Sequence, residues 1–497
     1  MNDYVTLKSG YWWKWHNETN RVLYKNFIST LINATFRPVV RTNASGGNDS
    51  VIEYHYTLPR PHKCPREKSC LGGLESSCAV GYEGPLCEVC SARYYKQLKL
   101  CKECPTKKWM AGQLSILVTV VVIVIVVVVW TRKRKSKKSE ERSLVDIILG
   151  RLKIVIGFYQ VTSGILEAFS YIKWPDSLAL IGKYSEILQL NFLQIAPVHC
   201  LFPTLEVNAF GALFAMLSLN AAAIIVAMVA YQLRKFLLMG NTSPKEQKLK
   251  KLSQTKALIY RNLFFFLYIT YLSTCLKTAN VLPLACRTLC IDENEENCGE
   301  FLRADYNVQC TSPEFNRSVI VAFFAVAYIL LLPTATLITL WKQRNTIRNS
   351  GEADENETPR PQEQSKEVFS GLRFLFENYN AHSWYWELVE TLRKVVLTSC
   401  LILVGGESRA YVGFACVISS LYAVVFAYKK PIVDPFENKL MLSSLIVTFI
   451  NLGIGVVSRI PKEGIPSSID PYLDNVLFKA LVFGANSLVI GVFMGEH

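Results

Sequence analysis

The sequence is poor in charge and in histidine. Only 19% of its 497 residues are Asp, Glu, Lys or Arg, and 51% are hydrophobic, whereas an ordinary soluble protein carries about 25% charge. The deficit is local: residues 111–130, AGQLSILVTVVVIVIVVVVW, contain no charged residue. At about 1.5 Å per residue that run matches the roughly 30 Å hydrocarbon core of a bilayer. A disordered chain, a fibrous protein and an ordinary cytosolic enzyme are excluded. Catalytic signatures are missing as well. There is no G-x-S-x-G, H-E-x-x-H or P-loop motif, no T-V-G-Y-G filter and no EF-hand spacing, and the six histidines include no close pair at metal spacing. Neither an enzyme activity nor a cofactor is expected. An apolar leader is also lacking, since Met1 is followed by NDYVTLKSGYWWKWHNE. Either the first span acts as a reverse signal anchor or the true start lies upstream, and the second is the expectation.

What is present in excess is hydrophobic runs. Nine windows predict membrane helices at 111–130, 146–170, 208–232, 258–280, 318–341, 386–405, 409–428, 439–458 and 474–494. Arg151 and Lys153 lie in the first turns of the second span, from which long basic side chains snorkel to an interface. Orientation follows from the basic residues. The segment 131–142 carries seven basic and two acidic residues and 233–256 seven and one, whereas 283–316 has two basic and seven acidic. Positive-inside places the first two in the cytoplasm and the third outside. The N-terminus is then extracellular and the C-terminus cytoplasmic. Four N-x-S/T sequons, at Asn17, Asn33, Asn43 and Asn48, mark the first fifty residues as glycosylated exterior; those at Asn241 and Asn356 fall on cytoplasmic loops. The net charge of +14 thus reflects orientation and contact with anionic lipid, and nucleic acid is not an expected partner.

Of 15 cysteines, seven lie between 64 and 104: Cys64, Cys70, Cys78, Cys87, Cys90, Cys101 and Cys104. The last four read C-x2-C-x10-C-x2-C, a spacing that also suits a zinc ribbon. In an oxidising exterior, disulfides are the expectation. Cys286, Cys290, Cys298 and Cys310 form a second group in the acidic loop 283–316. They allow three internal pairings, and the loop can also clip to Cys200, placed outside in LQIAPVHCLFP. Cys400 and Cys416 are expected to be buried thiols.

The stretch CAVGYEGPLCEVCSARYYKQLKLCKECP resembles the second half of a laminin-type EGF module and the ephrin-receptor-like cysteine repeat. Gly81 and Gly84 suit its tight turns, and Arg93 stands where glycine is common. The resemblance implies Cys78–Cys87 and Cys90–Cys101 pairs, with Cys104 joined to Cys64 or Cys70 and one thiol left for a partner elsewhere. Residues 372–440, with SWYWELVETLRKVV, a later Lys-Pro and an Asn opening the next span, resemble multipass membrane proteins that carry such repeats ahead of a bundle similar to transient-receptor-potential-like channels.

Within SWYWELVETLRKVV, Trp384, Tyr385 and Trp386 suit an interfacial aromatic belt. Glu387, Glu390, Arg393 and Lys394 recur at helical spacing, so Glu390 can meet Arg393 or Lys394 on one face. The group serves either as an anchor setting the depth of the sixth span or as a gating element moved by the linker 342–383. Gln160 and Glu167 share one face of the second span, as helix-packing groups or as the lining of an ion pathway. Asn220, Asn451 and Asn486 suit interhelical hydrogen bonds.

The fold expected is an all-α polytopic membrane bundle of about nine transmembrane helices with a small disulfide-rich extracellular EGF-like module. Its parts are an N-terminal segment (1–63), the cysteine module (64–108), a five-span bundle (111–341), a cytoplasmic linker (342–383) and a four-span bundle (384–497). The function expected is that of a channel-like or sensory plasma-membrane protein. A receptor or adhesion protein that binds an extracellular ligand without a pore is the alternative, and a transporter or lipid-scrambling bundle comes third. Besides the lipid bilayer and that ligand, further copies of the chain are a candidate partner.

Overall fold

The computed structural model describes residues 5–35, 58–97, 100–112, 144–169, 208–239, 245–290, 297–349, 372–404 and 409–458, with a few isolated positions between them. The chain divides into two compact units.

The first unit gathers three stretches, 1–106, 199–208 and 286–317. Its elements are β1 (Tyr11–Trp12), α1 (Glu18–Thr35), β2 (His62–Lys63), β3 (Cys70–Gly72), β4 (Ser77–Cys78), β5 (Tyr82–Glu83), β6 (Val89–Cys90), β7 (Tyr94–Gln97), β8 (Leu100–Glu103), β9 (Cys286–Cys290), β10 (Cys298–Leu302) and β11 (Asp305–Gln309). The strands are short because covalent staples, not a large core, hold them. Disulfides join Cys64–Cys70, Cys78–Cys87, Cys90–Cys101, Cys104–Cys200, Cys286–Cys310 and Cys290–Cys298.

Two of these pairs, Cys78–Cys87 and Cys90–Cys101, are those the resemblance implies. Cys104 departs from it by pairing with Cys200, 96 residues away. The reason is local: a single 3-10 turn at Glu67–Ser69 brings Cys64 and Cys70 within Cα reach at 6.5 Å, so they close on each other. Cys200 is thereby taken and cannot clip the acidic loop, whose four cysteines pair internally. Cys87, Cys90, Cys101 and Cys104 all sit in disulfides, so the zinc-ribbon alternative has no free thiolates. Gly81 and Gly84 adopt φ of +88° and +73°, and Arg93 takes φ +70°, the left-handed conformation that favours glycine there.

The boundary expected at 63/64 does not divide this unit. β1 pairs with β2, Gly10 N–H donates to Cys70 O (2.9 Å), and the Trp13 and Trp15 indoles both donate to Leu74 O. Asn17 caps α1, accepting from Asn20 N–H at 2.7 Å. Asn33 lies within α1, while Asn43 and Asn48 fall outside the described residues.

The second unit is helical: α2 (Leu144–Ala168), α3 (Ala209–Met239), α4 (Lys245–Ala279), α5 (Pro313–Lys342, mostly in this unit), α6 (Arg344–Asn349), α7 (Trp386–Val395), α8 (Leu401–Val404), α9 (Arg409–Lys429) and α10 (Pro435–Ser458). A π-helical turn, Val396–Cys400, joins α7 to α8. Among the described residues, four helices are long and apolar enough to cross a membrane: Ala209–Met239, Pro313–Lys342, Tyr411–Lys429 and Pro435–Val457. The spans expected at 146–170, 258–280 and 386–405 also fall on helices, but these carry internal charges such as Lys153, Lys256 and Glu387. Most of 111–130 and all of 474–494, with Asn486, lie outside the described residues.

Polarity in this unit is inverted relative to a soluble protein. Ile225, Val226, Phe323, Phe324, Leu330, Leu331, Leu421 and Val424 are more than half exposed, while Asn220, Thr270, Ser273, Thr274, Thr278, Ser419, Thr448 and Asn451 are buried. Such an exterior suits solvation by lipid, in which helices associate through packing and internal polar pairs. Asn220 of α3 illustrates this, accepting from Thr270 Oγ1 (2.8 Å) and donating to Thr274 Oγ1 (3.3 Å) of α4. Pro333 in α5 has no N–H for the Ile329 carbonyl, and Tyr271 Oη of α4 donates to it instead at 3.0 Å.

Candidate functional site

The most concentrated polar chemistry lies inside the second unit, where α2, α4, α7 and the segment before α7 converge. Three glycines spaced by seven line one face of α2, and each is filled by a side chain of another element. A Cβ at Gly150 would sit 2.8 Å from Glu437 Oε1, one at Gly157 2.7 Å from Lys394 Nζ, and one at Gly164 2.4 Å from Thr398 Cγ2. The π-helical turn after α7 therefore lies close against α2, the Lys394 side chain of α7 reaches Gly157, and α10 approaches α2 at Gly150.

Glu387 is 1% exposed and collects donors from three elements. Lys153 Nζ of α2 lies 2.6 Å from Oε2, Tyr379 Oη donates to Oε2 at 2.6 Å, and Tyr268 Oη of α4 donates to Oε1. Tyr268 Oη also meets Thr391 Oγ1 at 2.9 Å. A buried carboxylate surrounded this way keeps its charge, because desolvation is offset by an ion pair and charge-assisted hydrogen bonds. Lys153 thus does not snorkel. Arg151 likewise turns onto the Phe436 ring of α10, 4.1 Å from its centroid.

One turn further along α7, Glu390 accepts from Arg393 Nε at 3.0 Å and Nη2 at 2.6 Å, and Lys394 Nζ lies 3.4 Å away. Arg393 stacks over Tyr422 of α9 at 5.0 Å, which accommodates a guanidinium whose Nη1 has no hydrogen-bond partner among the described residues. The π-helical turn follows at once, and such turns recur at functional positions.

The segment 372–385 leads into this network. Leu372, Leu375 and Trp384 pack with Leu340 and Ile347 against Phe264 and Tyr268. Asn380 N–H donates to Pro431 O (2.8 Å) and Val433 N–H to Asn378 O (3.0 Å), tying the segment to the loop between α9 and α10. Of the aromatic belt expected here, Tyr385 is exposed, whereas Trp384 and Trp386 are each 4% exposed, Trp386 against Tyr422 and Phe426. Both rings fill protein grooves because the segment before α7 folds back onto the bundle.

Gln160 is buried in α2. Glu167, near the end of the same helix, accepts from Asn280 Nδ2 at 2.6 Å, just past the end of α4, and lies 3.9 Å from Lys277 Nζ in the last turn of α4. The carboxylate is engaged in a link between the end of α2 and the end of α4.

The spacing of Glu390, Arg393 and Lys394 foretells their pairing. Lys153, Tyr268 and Tyr422 escape such reasoning, since their partners lie far off in the chain, and Tyr379 escapes it because no single helix joins it to Glu387, eight residues on; the seven-residue glycine repeat of α2 is a hint the sequence carries. Among the described residues no cluster of His, Cys, Asp and Glu suits a metal ion. No family model, curated protein or solved structure matches this chain.

Proposed function

We propose that the chain is a multipass plasma-membrane protein of about nine spans, with its cysteine-rich unit outside and its C-terminus inside, acting as a channel-like or sensory protein. The observation that carries this reading is the convergence on Glu387 of the segment 372–385, through Tyr379, with α2 and α4, through Lys153 and Tyr268. One buried charge thereby connects the end of the linker to two helices of the bundle, an arrangement suited to transmitting a movement. The alternating charge of the loops supports the orientation. The glycine-like φ of Arg93, together with the Cys78–Cys87 and Cys90–Cys101 pairs, supports an EGF-like exterior.

Whole-cell recording in a cell line lacking endogenous current tests the reading. Glu387→Gln at normal surface density is expected to shift activation or change current several-fold. Currents identical to those of the unaltered chain would sink the coupling role. The alternative, a poreless receptor, draws support from the compact disulfide-stapled first unit; it predicts no current and ligand capture at the cell surface that Cys104→Ser weakens.

A further inference from the structure

The basic stretch where α3 passes into α4 has a structural setting beyond the orientation signal that its charge provides. These helices run 31 and 35 residues, well beyond the roughly 20 needed to span hydrocarbon. Their adjoining ends, residues 233–239 and 245–256, carry Arg234, Lys235, Lys245, Lys248, Lys250, Lys251 and Lys256 against the single acid Glu246. Arg234 and Lys251 are exposed, and Lys235 and Lys248 are half-buried. Lys248 Nζ also reaches the Met239 carbonyl at 3.4 Å.

We infer that this basic helix pair is a docking surface for the acidic part of the chain's own linker, Glu352, Asp354, Glu355 and Glu357. Two observations support this occupant. Complementarity is the first: residues 350–357, SGEADENE, hold four acids and no base. Reach is the second. The linker leaves the described residues at Asn349 and returns at Leu372, and both ends are held beside α4. Ile347 and Leu372 share a cluster with Phe264 and Tyr268, and Phe374 packs edge-on to Phe265 at 5.7 Å. From Phe265 back to Lys251 along α4 is about 21 Å at 1.5 Å per residue. The intervening residues are 350–371; counted from Asn349, Asp354, Glu355 and Glu357 extend to about 17, 20 and 26 Å, which together with the length of the lysine side chains reaches the surface. A tether of this length supplies an effective concentration in the millimolar range, which lets weak exposed ion pairs act together. The inference does not depend on whether the bundle conducts.

The full-length protein in neutral phosphatidylcholine vesicles provides the test. Carbodiimide treatment at low salt is expected to form amide cross-links between residues 352–357 and Lys245, Lys248, Lys250 or Lys251. At 0.5 M salt these should fall at least fivefold as screening grows. Amine acetylation gives the second measurement. Combining Glu352→Gln, Asp354→Asn, Glu355→Gln and Glu357→Gln is expected to speed labelling of the same lysines about threefold or more. Absence of the cross-links, or labelling unchanged in the neutralised chain, would overturn the inference. So would protection that appears only when phosphatidylserine is added, which would assign the surface to lipid headgroups.

Discussion

Glu390 and Arg393 are both almost wholly buried, and neither tolerates loss of the other. Removing one partner of such a pair strands a charge in a low-dielectric interior, at about 3–5 kcal/mol, whereas replacing both with apolar groups is close to neutral. Glu390→Ala is therefore expected to lower the thermal midpoint of the detergent-solubilised protein sharply, and Glu390→Leu with Arg393→Leu to recover part of the loss, Lys394 being left without its Glu390 partner. A double variant no more stable than Glu390→Ala would show that the pair is not the relevant contact. This pairing is written in the i, i+3 spacing of the sequence. The Glu387 cluster is not: Tyr268 and Glu387 stand 119 residues apart, and no local periodicity links them.

At the scale of the element, α2 owes its role to what it lacks. Gly164 leaves room for Thr398 at the π-helical turn, where a Cβ would come within 2.4 Å of Thr398 Cγ2. Gly164→Ala is expected to destabilise by about 1–3 kcal/mol through overpacking. Gly453 of α10 has open space where a Cβ would stand, with no heavy atom within 4 Å, so Gly453→Ala should be neutral or stabilise by up to about 1 kcal/mol through helix propensity. Thermal unfolding of the two variants side by side separates packing from propensity; equal shifts would contradict the close approach of α2 and the π-helical turn. Hydropathy locates these helices to within a few residues, but α3 and α4 exceed their expected spans because their basic ends continue the helix beyond the apolar stretch.

On the scale of the whole molecule, the first unit is assembled from segments distant in the chain, and His62 is one of its clasps. Its Nε2 lies 2.6 Å from the Cys290 carbonyl, 228 residues away. Burial, and secondarily Arg287 and Arg60, hold its pKa below the ordinary value of 6.5, against the opposing pull of the Cys290 carbonyl. The folded unit therefore prefers neutral His62. The contribution is full above pH 6.5 and is lost as pH falls from there through the lowered folded value, since the unfolded chain binds the proton first. The ratio of the proteolysis rate of the unaltered protein to that of His62→Gln, each pair measured at the same pH, should be higher at about pH 5.5 than at about 7.5. An unchanged pH response in His62→Gln would show that the clasp does not titrate.

Some of this molecule follows from sequence alone. Runs without charge specify helices suited to a bilayer, clustered cysteines specify a stapled unit, and the spacing of Glu390, Arg393 and Lys394 specifies a local ion pair, because each signal is repeated within a few residues. The joining of Cys104 to Cys200, of His62 to Cys290 and of Lys153 to Glu387 was decided only by the tertiary structure. Those contacts depend on which helix faces and loops the packed chain brings together, and burial rather than spacing is what makes a lone lysine and a lone glutamate into partners.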